Sequence, residues 1–310
     1  MNTSNTQFSN TQFSINGAQV VAPGRIFYWS VRRELWEYRS LYIAPLAVAA
    51  LFLFGFLISL VHLPQKMRSL AMLGSMQQSD RIQEPYHLAS ALMMGVALIV
   101  ALFYCIDAMH GERRDRSILF WKSMPVSDLM TVLAKAAIPL VFLQLLAFAL
   151  SVALQWIMIL ASSVVLLVSG GSVATLWGNL PLIQMWWMLL YHLIAVHSLY
   201  YAPVYAYLLL VSAWARRAPF LWAGLPLLAI AVMEKIAFNS WHFASFLQSR
   251  VVGSGNDAGD MTAPAYSMVH SPSVLVLIQF LFSPGLWVGL AFAATFLAGA
   301  VWLRRSRGPI

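Results

Sequence analysis

The chain has 310 residues, of which 60% are hydrophobic and only 10% charged, with a mean hydropathy of +0.73. Soluble domains carry roughly a quarter charged residues, so this composition excludes an ordinary water-soluble globular protein and points to the bilayer as solvent. The formal charge of +8 comes from basic residues lying between apolar runs, which directs the excess toward a membrane surface rather than nucleic acid, and a single cysteine, Cys105, excludes an internal disulfide framework.

Residues 1–22 are polar and contain the pentapeptide Asn5-Thr6-Gln7-Phe8-Ser9 repeated as Asn10-Thr11-Gln12-Phe13-Ser14. They lack the basic start and apolar stretch of a signal peptide and are expected to form a disordered tail, the repeat being too short for a solenoid. Residues 23–41 interleave aromatics with charge. At 3.6 residues per turn, Phe27, Val31, Leu35 and Tyr38 share one side, with Arg33 and Glu37 roughly opposite and Arg32 and Arg39 at its edge. The pattern predicts an amphipathic helix lying in the membrane interface, and it fits equally a basic anchor preceding a span.

A helix crossing about 30 Å of hydrocarbon needs about 20 apolar residues. Six runs meet that length, at 42–61, 87–108, 131–168, 185–212, 219–237 and 276–302, giving an all-α polytopic membrane protein over 42–303 with a basic tail at 304–310. The third run is long enough for a helical hairpin, but no Gly, Pro or Asn lies between Leu140 and Val168 to turn the chain inside lipid. One long, tilted or protruding helix is therefore predicted.

Cytoplasmic loops carry an excess of Lys and Arg. A cytoplasmic N-terminus puts Arg25, Arg32, Arg33, Arg39, Arg113, Arg114, Arg116, Lys122, Arg216, Arg217, Arg304, Arg305 and Arg307 on that side, against Lys66, Arg68, Arg81 and Arg250 opposite. Both termini are then cytoplasmic, as an even number of crossings requires. Trp186, Trp187 and Tyr191 open the fourth span, and Tyr205, Tyr207 and Trp214 close it, as headgroup-level aromatic belts do. The last outer loop, Gly253 to Asp260, reads as a flexible, mildly acidic turn.

The loop between the second and third runs combines mixed charge, Glu112, Arg113, Arg114, Asp115 and Arg116, with a bare apolar cluster, Ile118, Leu119, Phe120 and Trp121. Such a cluster is costly to leave in water, so a short helix docked on headgroups or on a soluble partner is expected. Ser127-Asp128 after Pro125 reads as a helix start feeding the third span. The residues Glu112, Arg113, Ser117, Phe120, Pro125, Val126 and Ser127 fit an E-R-x-x-x-S-x-x-F-x-x-x-x-P-V-S pattern, in which the chain resembles the membrane subunits of type-2 ATP-binding-cassette (ABC-2) transporters of bacteria.

That resemblance covers nearly the whole chain in architecture, but only this loop is motif-like. It implies an N-terminal elbow helix, six spans and a cytoplasmic coupling helix in which Glu112, Arg113, Arg114, Arg116, Ser117, Phe120, Trp121 and Lys122 contact a separate ATPase subunit. It further implies a dimer with a second copy of the permease or a paralogue, in the cytoplasmic (inner) membrane, exporting an amphipathic peptide, antibiotic or lipid-like substrate. The long third span departs from the family pattern, as does the lack of the large extracellular domain of some relatives. No G-x-x-x-x-G-K-[S/T] phosphate loop occurs, so the chain is expected to be no enzyme and to hold no cofactor, with ATP and Mg bound by the partner.

Ionisable residues inside spans are functional candidates by default. His192, His197, Glu234 and Lys235 are the candidates here, either as a polar pathway lining or as groups that snorkel and bond neighbouring helices. Gly285, Gly289 and Ala293 form a small-residue stripe suited to close helix packing. The run contains no protease motif at depth, and His192 and His197, five apart, lie off one face of an α-helix. A secondary carrier or channel using His192, His197 and Glu234 as a proton relay needs no nucleotide site either, and Pro203 and Pro226 could interrupt its helices. A non-transporting anchor or sensor is the third alternative.

Overall fold

The computed structural model describes residues 23–70, 72, 74–123, 126–245, 247 and 280–306, without the side chains of Pro23, Trp121 and Ser123. The predicted tail at 1–22, Pro125, the loop from Gly253 to Asp260, the first residues of the last predicted span (276–279) and positions 307–310 lie outside the described residues.

Lipid supplies no partner for backbone polar groups, and a single segment can satisfy its own only as a helix. Among the described residues, six helices are long and apolar enough to cross a membrane: Ser40–Leu70, Ser75–Arg114, Asp128–Val168, Val173–Tyr200, Pro219–Phe238 and Pro284–Ser306. Among the described residues there is no strand. The chain is therefore multi-pass in architecture, as its apolar runs require.

In chain order, α1 is Pro23–Glu37, and α2, Ser40–Ser59, continues through a 3-10 turn into α3, Leu63–Leu70. The 33-residue α4, Ser75–Asp107, is followed by two short helices, α5, His110–Arg114, and α6, Ser117–Ser123. Next come α7, Asp128–Ala137, and α8, Leu143–Val168, joined through a π-helical stretch at Ile138–Phe142. Helices α9, Val173–Gly178, and α10, Leu182–His192, lead through a second π-helical stretch, Leu193–Tyr200, into α11, Ala202–Trp214. The chain closes with α12, Pro219–Phe238, and α13, Pro284–Ser306.

The two π-helical stretches are in contact, and the first has an identifiable cause. Pro139 has no N–H to give and its ring crowds the preceding turn, so the helix widens there instead of breaking. Carbonyls displaced from the regular ladder need other donors inside an apolar bundle. The Ser198 hydroxyl donates to the Leu140 carbonyl at 2.6 Å, and Gln144 Nε2 donates to the Pro139 carbonyl at 2.8 Å.

Helix ends follow local chemistry. The Ser127 hydroxyl accepts from the Met130 N–H at 3.2 Å and caps α7, and Ser172 caps α9 in the same way. The last crossing helix begins at Pro284, after a turn at Phe282, because proline fits the first helical turn, where its missing N–H costs nothing.

The core forms where α4, α8, α11 and α13 meet. The small-residue stripe Gly285, Gly289 and Ala293 is buried inside this bundle, Ala293 packing against Ala202 and Ala206 of α11. Helices α2 and α12 are peripheral: their most apolar stretches are 6% and 11% buried, against 33–39% for the other four crossing helices.

Candidate functional site

Two capping interactions turn the chain at the end of α4. The Ser212 hydroxyl accepts from the backbone N–H groups of Met109 and His110 at 3.0 and 2.9 Å, fixing the start of α5 against the end of α11. Gly111 then passes so close to α1 and α4 that an added Cβ would lie 3.2 Å from the Tyr38 hydroxyl and 3.3 Å from an Asp107 carboxylate oxygen. The close approach carries the next two side chains, Glu112 and Arg113, into the protein.

Glu112 enters a buried cluster of charges drawn from four helices, with a tyrosine hydroxyl from a fifth. Its Oε1 accepts from Arg33 Nη2 at 3.1 Å and lies 3.2 Å from Lys135 Nζ, while Oε2 accepts from Arg304 Nη1 at 2.5 Å. Lys135 Nζ also donates to both oxygens of Glu34, at 3.0 and 2.9 Å. The Tyr104 hydroxyl donates to Glu34 Oε2 at 3.0 Å, and Arg33 pairs with Glu34 as well. Arg304 completes the set by donating from Nε to Asp128 Oδ1 at 3.1 Å. The side chains of Glu34, Glu112 and Lys135 are 0% exposed.

The cluster is balanced. Three carboxylates, Glu34, Glu112 and Asp128, meet three cations, Arg33, Lys135 and Arg304. Burying any one of these charges unpaired would cost several kcal/mol, so the group holds together only as a set. On the exposed rim, Glu37 lies 4.0 Å from Arg33. Partial burial raises the Glu37 carboxyl above its ordinary value, and the negative charges of Glu34 and Glu112 add to this against the opposing field of Lys135. Burial works against the charge on Arg33, but Glu34 and Glu112 outweigh it and raise its already high value.

Arg113 points inward too, donating to the Ala213 and Ala215 carbonyls at 2.7 and 3.2 Å and so satisfying the C-terminal end of α11. Sequence grouped Glu112 and Arg113 with the surface-contacting residues; the fold buries both, at 1% and 5% exposure. The physical reason is the supply of buried opposite charge for Glu112 and of orphan carbonyls for Arg113.

Beyond Arg116, whose φ of 59° places it in the left-handed region, the chain leaves this interior. The Ser117 hydroxyl donates to the Glu112 carbonyl at 3.3 Å and ties α6 to α5. Ile118 anchors α6 from beneath, while Leu119 and Phe120 are 57% and 59% exposed. Arg114, Arg116 and Lys122, near them in sequence, are exposed as well. Trp121 belongs to α6, but its side chain lies outside the described residues.

The four intramembrane candidates do not form one group: His192 and His197 interact across the π-helical stretch, but Glu234 and Lys235 stand apart from them. Glu234 accepts from the Ser240 hydroxyl at 2.8 Å and from the backbone N–H groups of His242 and Phe243 at 2.8 and 2.7 Å, capping the turn that follows α12. Lys235 lies 5.4 Å from the Trp241 ring centroid. His192 Nδ1 is 3.0 Å from the Met188 carbonyl of its own helix, and His197 lies 5.9 Å from the Tyr201 ring. Among the described residues, no hydrogen bond or ion pair joins Glu234 or Lys235 to either histidine. Nor do the described residues contain a cluster of His, Cys, Asp and Glu suited to a metal ion.

Sequence reasoning missed Glu34, Tyr104, Lys135, Arg304 and Asp128. Two signals were present. Glu34 falls between Val31, Leu35 and Tyr38 on the apolar side of α1, and Lys135 interrupts an apolar run near the start of the third crossing helix. Comparison of the chain with models of known families and with characterised proteins gives no match.

Proposed function

We propose that this chain is the permease subunit of an ATP-binding-cassette exporter of the ABC-2 type, moved by a separate ATPase that docks on α6. The observation that carries the reading is the division of one loop into two parts. Its exposed part presents Leu119 and Phe120 next in sequence to the exposed cations Arg116 and Lys122, a composition suited to a protein contact that combines apolar and charged groups. Its buried part, Glu112 and Arg113, is bonded to α1, α7, α11 and α13. A push on α6 therefore reaches four other helices through ionic contacts with little slack.

On this reading α6 is the coupling helix and α1 the elbow helix. The loop faces the cytoplasm together with both termini, and the protein resides in a bacterial inner membrane. ATP and Mg bind the partner. The lightly buried faces of α2 and α12, with Leu51, Phe54, Phe220 and Leu228 at 64–71% exposure, are available to lipid and to a second permease copy. The substrate is an amphipathic molecule moved along the helical bundle. A proton-relay carrier has weaker support, because Glu234 is engaged in a local cap rather than with the histidines.

The test is affinity purification of the full chain from its native membrane in mild detergent, beside Phe120→Ala and Lys122→Glu. The expected result is an ATPase subunit that co-purifies with the unaltered chain and is lost from both variants while their yield and melting behaviour stay unchanged. A preparation from native membrane that carries no ATPase, or one whose ATPase content ignores both variants, overturns the reading.

A further inference from the structure

Arg32 and Arg33 are neighbours in α1 with opposite fates. The Arg33 guanidinium is spent on Glu34 and Glu112. Arg32 instead lies between two indole rings, its guanidinium carbon 5.0 Å from the Trp29 centroid and 4.7 Å from the Trp36 centroid. Trp29 and Trp36 are themselves 50% and 65% exposed, Tyr28 is 58% exposed, and Tyr28 meets Trp29 edge to face at 5.7 Å. Among the described residues, no carboxylate lies within ion-pair distance of Arg32.

Helical spacing explains the arrangement. Positions 25, 29, 32 and 36 recur at intervals of four, three and four residues and share one face of α1, while Val31, Leu35 and Tyr38 pack inward with Glu34. The apolar side that suggested burial in the interface is thus consumed by the protein. The face turned outward is aromatic and cationic.

Stacking occupies only the flat faces of a guanidinium. Its N–H donors lie in the plane of the group and point past the rings, in the fork geometry that fits phosphate. Trp and Tyr prefer the headgroup level of a bilayer, and α1 ends where the first crossing helix begins, with only Tyr38 and Arg39 between Glu37 and Ser40. A phosphate that is abundant at that level, and whose lipid carries a net negative charge, complements this cation and its neighbour Arg25.

We infer that the Trp29–Arg32–Trp36 face of α1 is a binding site for the phosphate of an anionic phospholipid. The site is independent of the ATPase contact and holds for any function the bundle performs.

Native mass spectrometry of the detergent-purified full chain tests this by titration with phosphatidylglycerol and, separately, with phosphatidylcholine. The unaltered protein should retain the anionic lipid in preference. Arg32→Ala should weaken that retention about tenfold, the equivalent of one strong charge-assisted contact. Arg32→Lys should recover only part of it, because an ammonium lacks the planar fork, and Arg25→Ala, which removes a charge on the same face without stacking, should change it less than Arg32→Ala. Equal retention of the two lipids, or unchanged retention in Arg32→Ala, overturns the site. So does competition by inorganic phosphate at matched concentration, which would make it a soluble-anion site. Loss of the co-purifying ATPase from Arg32→Ala with lipid retention intact would assign the face to a protein and equally overturn the lipid reading.

Discussion

The two short helices α5 and α6, which precede the third crossing helix, are separated by only Asp115 and Arg116, yet they occupy opposite environments. In α5, Glu112 is fully enclosed by Arg33, Lys135 and Arg304. In α6, Leu119 and Phe120 are 57% and 59% exposed. The first arrangement stabilises the fold and offers nothing to a partner; the second offers a contact surface and adds little to the fold. The turn at Arg116 separates them. What the contrast teaches is how a surface helix can be both accessible and firmly connected: one helix is the handle, and its neighbour is the weld.

The comparison breaks most severely at Glu112. Glu112→Ala removes the shared acceptor of three cations and leaves Lys135 buried with only Glu34, a change expected to cost about 3–5 kcal/mol. The measurement is thermal unfolding of the detergent-solubilised protein, with a much lower midpoint or failure to purify as a single species as the outcome. An unchanged midpoint would show that the buried cluster is not what holds α5. Arg113→Ala should cost less, about 2–3 kcal/mol, because it removes charge-assisted donors to the Ala213 and Ala215 carbonyls without leaving a buried charge behind. Its midpoint should fall between those of Glu112→Ala and the unaltered chain.

Six apolar crossing helices were legible because the requirement is local: a run long enough for hydrocarbon shows in any window of the sequence. The cap at Ser127 and the unbroken third helix were legible for the same reason, since a capping residue and the absence of turn formers act within a few positions. The charge cluster was not, because its links run between distant helices, Arg33 to Glu112 across 79 residues and Arg304 to Glu112 across 192, and no local pattern records that Glu34 will meet Lys135 across 101. The reading of α1 shows the boundary between the two cases. Periodicity correctly places Val31, Leu35 and Tyr38 on one side, but whether that side meets lipid or protein depends on α7 and α4, which lie far along the chain. Glu234 fails for the opposite reason: its partners Ser240, His242 and Phe243 are close in sequence, but they lie beyond the helix end, where a turn rather than a helix brings them back.

At α6 the contrast predicts a variant that is silent for folding and decisive for binding. Phe120→Ala should change the unfolding midpoint by less than the equivalent of about 0.5 kcal/mol, the usual range for a surface position, while abolishing retention of the ATPase. A large loss of stability in Phe120→Ala would mean that its ring packs into the fold and that α6 is part of the weld.

The smallest expected effect sharpens the rim of the cluster. Burial holds the Glu37 carboxyl above its ordinary value, so ionising it in the folded protein is less favourable than in the unfolded chain. Its contribution therefore opposes folding above the folded-state value and fades as the pH falls through that value, where the group takes up its proton. Glu37→Gln removes the charge at every pH. The variant should be slightly more stable than the unaltered chain at neutral pH, and the two should converge in acid, as read from unfolding midpoints across a pH series. If Glu37→Gln is instead destabilising at neutral pH, the 4.0 Å contact with Arg33 outweighs the cost of burial, and the cluster extends one residue further along α1 than its fully buried members indicate.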